Sequence, residues 1–218
     1  MTPRASHRVT AVVPVKPLAL AKSRLALAPA QRQSLALAFA VDTVCALTGS
    51  PLVAGVLVVT ADPIVSDRLR ELGVRVAEDD ASGLGAAVHH GLQVARRWTP
   101  DAGVAVVPAD LACLRPDDVT QVLTAAQATR GAFVPDRAAT GTTLLVQPTG
   151  HLAAAHYGPG SAARHRLMGL VALDDAPARA RHDVDTVDDL RAAQALGVGP
   201  QTAAALLAVD GPVGEVAF

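Results

Sequence analysis

Three aspartates carry the side chains best suited to bind a metal ion. Asp110 follows residues 103–107, an apolar run that we predict to be a buried strand. Asp183 and Asp185 form an Asp-x-Asp pair, and an extended backbone would point both carboxylates to one face. Carboxylate oxygens suit Mg²⁺, and the three together could hold two ions that promote displacement at phosphorus. The alternatives are that Asp110 caps the following turn and that the Asp-x-Asp pair is simply solvated.

Three basic residues follow the first predicted strand. Residues 9–15 form an uncharged apolar run rich in Val, as expected for a strand buried on both faces. Lys16, Lys22 and Arg24 come next, in a loop broken by prolines. Open α/β sheets bind phosphates where a central strand ends in such a loop. We therefore predict a site for a phosphorylated ligand, the alternative being a solvated basic turn beside an edge strand.

Two turns rich in small residues could bind an anion. Residues 140–143 read Thr-Gly-Thr-Thr, and residues 157–161 read Tyr-Gly-Pro-Gly-Ser. Glycine lets the backbone approach a ligand closely, and Ser161 begins a predicted short helix whose free N–H groups favour an anion. The Arg-His-Arg sequence of residues 164–166 is predicted to add positive charge to that end. Ordinary turn chemistry is the alternative for each turn taken alone.

The pattern contains no obvious nucleophile or general base. The histidines lack the spacing of a zinc site, and we interpret these as surface or capping residues: His89, His90, His151, His156 and His182. A phosphate or carboxylate oxygen that attacks phosphorus is already ionised at neutral pH and needs no base. Positioning and charge neutralisation would then supply most of the catalysis, as in phosphoryl and nucleotidyl transfer.

Strands alternate with helices in the first half of the chain, which predicts a parallel α/β sheet with right-handed crossovers. We place strands at residues 9–15, 53–60, 74–77, 103–107, 132–134, 142–146 and 170–173. The less regular second half predicts an antiparallel addition that closes over the site. Because no linker or repeat is visible, we expect one domain over residues 1–218, with loose tails at 1–8 and 210–218.

The composition limits the partners and the compartment. A net charge of −1 with scattered basic residues leaves no electrostatic footprint for nucleic acid or an anionic membrane. Cys45 and Cys113 suit neither a metal pair nor a disulfide framework, and we expect Cys45 to be a core residue of a helix. Because no signal peptide or membrane span is visible, a reducing cytoplasm is expected.

Five segments in order resemble one known family. They read VPVKPLALAKSRL, VVPADLACL, ATGTTLL, YGPGSAARH and HDVDTVDDLRAAQALGVGP. They are similar to the guanylyltransferases of coenzyme F420 biosynthesis, which transfer GMP from GTP to phosphoenolpyruvate or to 2-phospho-L-lactate. The resemblance implies a nucleotidyltransferase fold of the GT-A type, shared with nucleotide-diphospho-sugar transferases, and it implies GTP and Mg²⁺ as requirements. It also implies a downstream F420-pathway transferase as a partner that takes up the product.

The resemblance assigns roles to the candidate residues. The metal ions would be held by Asp110, Asp183 and Asp185, and the acceptor's phosphate and carboxylate by Thr142, Gly158 and Ser161. The triphosphate would face Lys16, Lys22 and Arg24, and the nucleotide would also contact the backbone around Gly83 and Gly85. One departure is Gly85 itself, since relatives commonly carry Asn there. The missing amide removes a possible contact to the base or the ribose.

Several functions stay open at this point. The acceptor could be phosphoenolpyruvate, 2-phospho-L-lactate or 3-phospho-D-glycerate, which share a phosphate and a carboxylate. The Ala-, Val- and Arg-rich composition fits a GC-rich actinobacterium, where the resemblance favours phosphoenolpyruvate. Guanylylation of molybdopterin is disfavoured because the first loop lacks the Gly-rich pattern of those enzymes. A non-catalytic nucleotide-binding protein is a further alternative, against which the three aspartates argue, because a simple binder needs no metal clamp.

Overall fold

The computed structural model describes residues 8–79, 83–149 and 155–210, and its central element is a seven-stranded sheet. The strands are β1 (Val9–Pro14), β2 (Val53–Thr60), β3 (Arg75–Glu78), β4 (Gly103–Val106), β5 (Ala132–Pro135), β6 (Thr142–Gln147) and β7 (Val171–Ala172). Their order across the sheet is β3-β2-β1-β4-β6-β5-β7. Apart from Arg8 and Asp210, the two predicted tails lie outside the described residues.

The sheet is mainly parallel, as predicted. β1 pairs in parallel with β2 and β4, and β2 with β3. β6 runs antiparallel to both β4 and β5, and β7 is parallel to β5. The predicted antiparallel addition thus takes the form of one reversed strand inside the same sheet. As a result the carboxyl ends of β1, β4 and β5 meet the amino end of β6 at one edge.

Helices cover both faces of the sheet. They are α1 (Pro29–Thr48), α2 (Pro63–Arg70), α3 (Leu84–Trp98), α4 (Pro116–Ala126), α5 (Ser161–Leu167), α6 (Val187–Leu196) and α7 (Pro200–Asp210). Short 3₁₀ helices occupy Leu18–Leu20 and Ala178–Arg181. The Asp62 carboxylate accepts the first free N–H groups of α2, and Thr186 with Asp189 forms a capping box on α6. No helix in the described ranges is long and apolar enough to cross a membrane.

The central strand β1 is buried on both faces, which explains its unbroken apolar run. Val9, Ala11 and Val13 pack with residues of α1, α2 and α4, whereas Val12 packs on the other face with α3 and α5. This alternation follows from the period of two in a strand. A third cluster joins α1, α6 and α7 through side chains that include Leu35, Phe39, Val184 and Leu190.

Cys45 corrects one expectation from the sequence. It lies in α1, as predicted, but its side chain is exposed, whereas Cys113 is buried. Val41 and Val44 face the core from the same helix. Because each residue turns the helix by about 100°, the position after Val44 already points away from the core side.

A buried carboxylate connects α1 to α7. Asp42 is only 4% exposed, and its oxygens accept the N–H groups of Gln201 at 3.1 Å and Thr202 at 2.8 Å. These are free donors of the first turn of α7, so the carboxylate serves as a cap supplied from a distant helix. A Cβ atom at Gly199 would collide with the Asp42 carboxylate, which explains the glycine there.

Candidate active site

A pocket of about 510 Å³ opens at the carboxyl edge of the central strands. Its walls come from the loops after β1 and β4, the turn between β5 and β6, and the Asp183–Asp185 segment. The lining includes most of the predicted candidates, namely Lys16, Lys22, Arg24, Asp110, Thr142, Gly158, Asp183 and Asp185. The strand order thus brings together residues that are far apart along the chain.

The Asp-x-Asp segment is held against the loop after β4. The Val184 N–H donates to the Asp110 carbonyl at 3.2 Å, and the Val184 side chain is fully buried. Beyond it, the Asp189 carboxylate accepts the N–H groups of Thr186 at 2.9 Å and Asp185 at 3.3 Å. With Val184 anchored in the core, the carboxylates on either side of it reach the pocket, as the spacing predicted.

Lys22 lies between two of the carboxylates. Its Nζ is 2.7 Å from Asp110 Oδ2 and 3.1 Å from Asp185 Oδ1. Burial lowers the pKa of Lys22, but the two carboxylates outweigh that effect and hold the pKa above its ordinary value. The residue also has a φ of 52°, a left-handed conformation that is unfavourable for a side chain with a Cβ. The ammonium group is therefore placed by a loop whose backbone is strained at Lys22.

The Asp183 carboxyl group has a raised pKa. Burial, followed by the negative charge of Asp110, raises its pKa to about 7, and Asp185 and Asp136 act in the same direction. At neutral pH the Asp183 carboxyl group is therefore partly protonated in the absence of an added cation. Asp136 was not among the predicted site residues, although it lines the same pocket.

The donor set fits a hard cation. Asp110 Oδ1 is buried and has no hydrogen-bond partner in the described part of the chain, so it is available as a ligand. Carboxylate oxygens are the ligands that Mg²⁺ prefers. The described residues nevertheless include no group of three His, Cys, Asp or Glu side chains already arranged around a metal position. In this conformation the Lys22 ammonium occupies the space between Asp110 and Asp185, and it would have to give way.

A network of uncharged groups surrounds Thr142, which forms a second wall of the pocket. The Thr142 hydroxyl lies 2.9 Å from His165 Nδ1 and accepts a hydrogen bond from Ser161 Oγ at 3.2 Å. Ser161 is fully buried behind Thr142, so it does not reach the pocket lining. The Asp136 carboxylate accepts the N–H groups of Thr140 and Gly141 at 2.9 and 2.8 Å, which fixes the turn before β6.

Two histidines near the pocket are buried, and one of them, His182, was predicted at the surface or as a cap. His165 is fully buried, and burial together with the nearby His156 lowers its pKa to about 4. The positive charge that residues 164–166 add therefore comes from the two arginines. His182 was expected at the surface or as a cap; it is buried and donates from Nε2 to the Asp189 carbonyl at 2.8 Å. His151 lies outside the described residues.

A helical period could have revealed His165 in the sequence. Ser161 and Ala162 are buried at the start of α5, and His165 follows them by four and three residues. Residues at that spacing share one helix face. The charges of Arg164 and Arg166 obscure this helical period in the sequence.

The start of α3 borders the pocket through Leu84. Gly83 has a φ of 108°, which favours glycine, and a Cβ at Gly85 would meet no atom within 4 Å. Among the described residues, space therefore exists beside Gly85 for a longer side chain. Residues 80–82 of the predicted loop lie outside the described residues.

A second cleft, of about 550 Å³, lies at the opposite end of the strands. Its described lining contains no carboxylate. Of its two arginines, Arg75 lies over the Trp98 ring at 4.7 Å and Arg8 donates to the Val53 carbonyl at 2.7 Å. The chemistry that the sequence predicted is concentrated in the first pocket.

Solved structures show which class of fold this is. A putative nucleotide-diphospho-sugar transferase from Desulfovibrio desulfuricans superposes with a TM-score of 0.63 at 17% identity, over 84% of each chain. A nucleotidyl transferase from Methanothermobacter superposes with a TM-score of 0.58 at 15% identity, over 87% of this chain and 97% of the other. The fold is thus that of the nucleotidyltransferases, as the resemblance implied.

Sequence comparison then gives the family. The family model described as "Guanylyl transferase CofC like" matches residues 9–191, and the chain belongs to this family of enzymes. A relative from Streptomyces scabiei named phosphoenolpyruvate guanylyltransferase is 52% identical over 90% of this chain and 94% of its own. A relative of the same name from Streptomyces avermitilis is 50% identical over 94% of this chain and 98% of its own.

Proposed function

We propose that the protein transfers GMP from GTP to the phosphate of phosphoenolpyruvate, as a cytoplasmic step of coenzyme F420 biosynthesis. The observation that supports the proposal is one pocket with two unlike walls, one with Lys22 between Asp110 and Asp185 and one with the Thr142 hydroxyl. The first wall would bind the triphosphate through Lys22 and the metal ion through the aspartates. An acceptor with a phosphate and a carboxylate suits the second.

In the proposed reaction a phosphate oxygen of phosphoenolpyruvate attacks the α-phosphorus of GTP in line. The new P–O bond forms as the bond from the α-phosphorus to the bridging oxygen breaks, and pyrophosphate leaves with that electron pair. The products are enolpyruvoyl-2-diphospho-5′-guanosine and pyrophosphate. Because the attacking oxygen is already ionised, no protein base is needed, which agrees with the lack of one among the predicted site residues.

The basic residues would bind the triphosphate. Lys16 and Arg24 are exposed on the pocket rim, whereas Lys22 is held inside it. We propose that Lys22 exchanges its two carboxylate partners for phosphate oxygens when GTP and metal enter together. When Lys22 moves away, the oxygens of Asp110 and Asp185 would become free to bind the cation. The backbone at Gly83 and Gly85 would border the nucleoside.

Asp110, Asp183 and Asp185 would hold Mg²⁺, in two ions by the resemblance. When bound, Mg²⁺ supplies positive charge that neutralises the triphosphate and the departing pyrophosphate. The raised pKa of Asp183 supports this role, because a bound cation would offset both the burial and the negative charge of Asp110 that raise it.

The acceptor would lie against Thr142 and the Gly158 turn. Gly158 has a φ of 85°, and a Cβ there would meet no atom of the described residues within 4 Å, which leaves its backbone open to a ligand on their side. Ser161 would act through its hydrogen bond to Thr142. The product would pass to the transferase that continues the F420 skeleton.

Pyrophosphate release with each nucleotide and acceptor tests the proposal. GTP and ATP are each combined with phosphoenolpyruvate, 2-phospho-L-lactate or 3-phospho-D-glycerate, with Mg²⁺ as the only metal. The expected result is the highest kcat/KM for GTP with phosphoenolpyruvate. A higher value for another acceptor would move the proposal to that acceptor, and no release from any pair beside measurable GTP binding would favour a non-catalytic protein.

A further inference from the structure

His165 does not line the pocket, yet its hydrogen bonds determine whether the Thr142 hydroxyl directs its proton or a lone pair into the pocket. The ring is fully buried in α5. The backbone N–H of His156 donates to His165 Nε2 at 3.1 Å. A backbone N–H can only donate, so Nε2 must be the unprotonated nitrogen of the ring. In a neutral imidazole the proton then resides on Nδ1.

This tautomer sets the direction of the next hydrogen bond. Nδ1–H must donate to Thr142 Oγ1, which lies 2.9 Å away. Ser161 Oγ also donates to Thr142 Oγ1, at 3.2 Å. A hydroxyl oxygen has two lone pairs and one proton, so both acceptor positions of Thr142 are filled. Its own proton has no acceptor in the described part of the chain, and Thr142 lines the pocket.

We infer that His165 is a positioning residue that commits the Thr142 hydroxyl to donate its proton into the pocket, toward an anionic oxygen of the acceptor. The inference rests on the proposed function in naming the acceptor as the recipient. A threonine hydroxyl without such partners could present either a lone pair or a proton. Here a lone pair would repel a phosphate or carboxylate, and the network removes that choice.

The surroundings keep the ring neutral. The His156 ring is 5.9 Å from the His165 ring, and the Phe133 ring is 5.2 Å away on β5. The Arg166 guanidinium lies over the Phe133 ring, 5.4 Å from its centre. The strands β5, β6 and β7 carry no ionisable side chain. Burial and the neighbouring His156 lower the pKa of His165 to about 4, so the donor arrangement persists at neutral pH.

The tautomer can be measured in the free protein. In ¹⁵N-labelled protein, the shifts and couplings of the two ring nitrogens distinguish Nδ1–H from Nε2–H, and a His165→Asn sample identifies the signals. The expected result is Nδ1–H at pH 7. An Nε2–H tautomer, or a doubly protonated ring, would overturn the inference. Because no turnover is required, this result stands whether or not the proposed function does.

A pair of variants of similar size tests the consequence for the acceptor. His165→Asn can place an amide N–H where Nδ1–H lies, whereas His165→Leu offers no donor. Leu should raise the KM for phosphoenolpyruvate about 10-fold or more, since a hydrogen bond to a charged group becomes disordered. Asn should stay within about 3-fold of wild type, and the KM for GTP should change little in both.

The control is His90→Asn, an exposed histidine on α3, and folding is checked by circular dichroism and melting temperature. Equal impairment of folded Asn and Leu variants, or an unchanged KM in Leu, would overturn the inference and leave His165 a packing residue. If neither variant folds, the tautomer measurement alone decides. If wild-type protein transfers GMP to no acceptor, the proposed function fails, and the tautomer still decides the direction of the Thr142 hydrogen bond.

Discussion

The two walls of the pocket solve different problems. The carboxylate wall, formed by Lys22, Asp110, Asp183 and Asp185, is highly charged, strained at Lys22 and neutralised from within. The hydroxyl wall is Thr142, held from behind by hydrogen bonds from Ser161 and His165, and these three side chains are uncharged. In the proposed function, the first wall must exchange partners before it binds a metal and a triphosphate, whereas the second needs no rearrangement to receive an anion. We therefore expect mutations of the two walls to have different effects.

The largest expected effect follows from Asp183→Asn. Loss of a metal ligand should lower kcat by at least about 100-fold, because charge neutralisation carries most of the catalysis. The fold should persist, since an amide resembles the protonated acid that burial already favours. Turnover with Mg²⁺ as the only metal is the measurement, and full activity would remove Asp183 from the carboxylate wall.

The same variant has a pH signature in metal-free protein. The Asp183 pKa rises from 3.8 to about 7 on folding, so the folded state binds more protons between those values. The free energy of unfolding of wild type should therefore gain less, or fall, as pH rises from about 4 to about 7. Asp183→Asn lacks this penalty. Its melting temperature relative to wild type should increase across that window, and a constant difference would contradict the raised pKa.

Lys22→Ala should separate the substrates. Removing the ammonium should raise the KM for GTP about 10- to 100-fold through lost charge-assisted hydrogen bonds, with the KM for phosphoenolpyruvate within about 2-fold. Arg130→Ala, an exposed cation after α4, serves as the control. An equal rise in both KM values would mean that the two walls are not independent.

Thr142→Val should affect the other substrate. The valine keeps the shape and removes the hydroxyl, so the KM for phosphoenolpyruvate should rise about 10-fold while that for GTP stays constant. Thr142→Ser retains the hydroxyl and should lie within about 3-fold of wild type. Steady-state kinetics of both variants decide the matter, and a valine variant that matches wild type would exclude Thr142 from acceptor binding.

Arg24→Ala should have the smallest effect. The Arg24 side chain is 75% exposed and lies 3.8 Å from Asp185, where solvent and salt screen its charge. We expect a rise of about 2- to 3-fold in the KM for GTP that disappears in high salt. Titration of GTP at two ionic strengths is sufficient, and a salt-independent loss would indicate a direct phosphate contact.

Local sequence patterns predicted the frame of the site well. The buried runs of β1 and β4 placed the basic loop and Asp110 at one edge, because parallel strands end together. The Asp-x-Asp spacing predicted the common direction of the two carboxylates, and Val184 between them is buried. These inferences need only the period of a strand and the hand of a crossover.

What the patterns could not give were contacts between distant segments. The position of Lys22 between Asp110 and Asp185 depends on loops 88 and 163 residues away in sequence. The neutral state of His165 could not be predicted from the sequence, because its burial and its hydrogen bond from the His156 N–H are tertiary facts. Ionisation states follow from such burial, so the residues of α5 do not by themselves give its charge.

The capping of α7 by Asp42 bears on the order in which the molecule is assembled. The contact closes a loop of 159 residues, and its entropic cost falls only after the sheet has shortened the path between its ends. We therefore expect α7 to dock late in folding and to detach early in hydrogen-exchange experiments. Val184 shares a core cluster with Leu206 of α7. The anchoring of Val184, between Asp183 and Asp185, would then be completed by one of the last folding events, after most of the sheet is already formed.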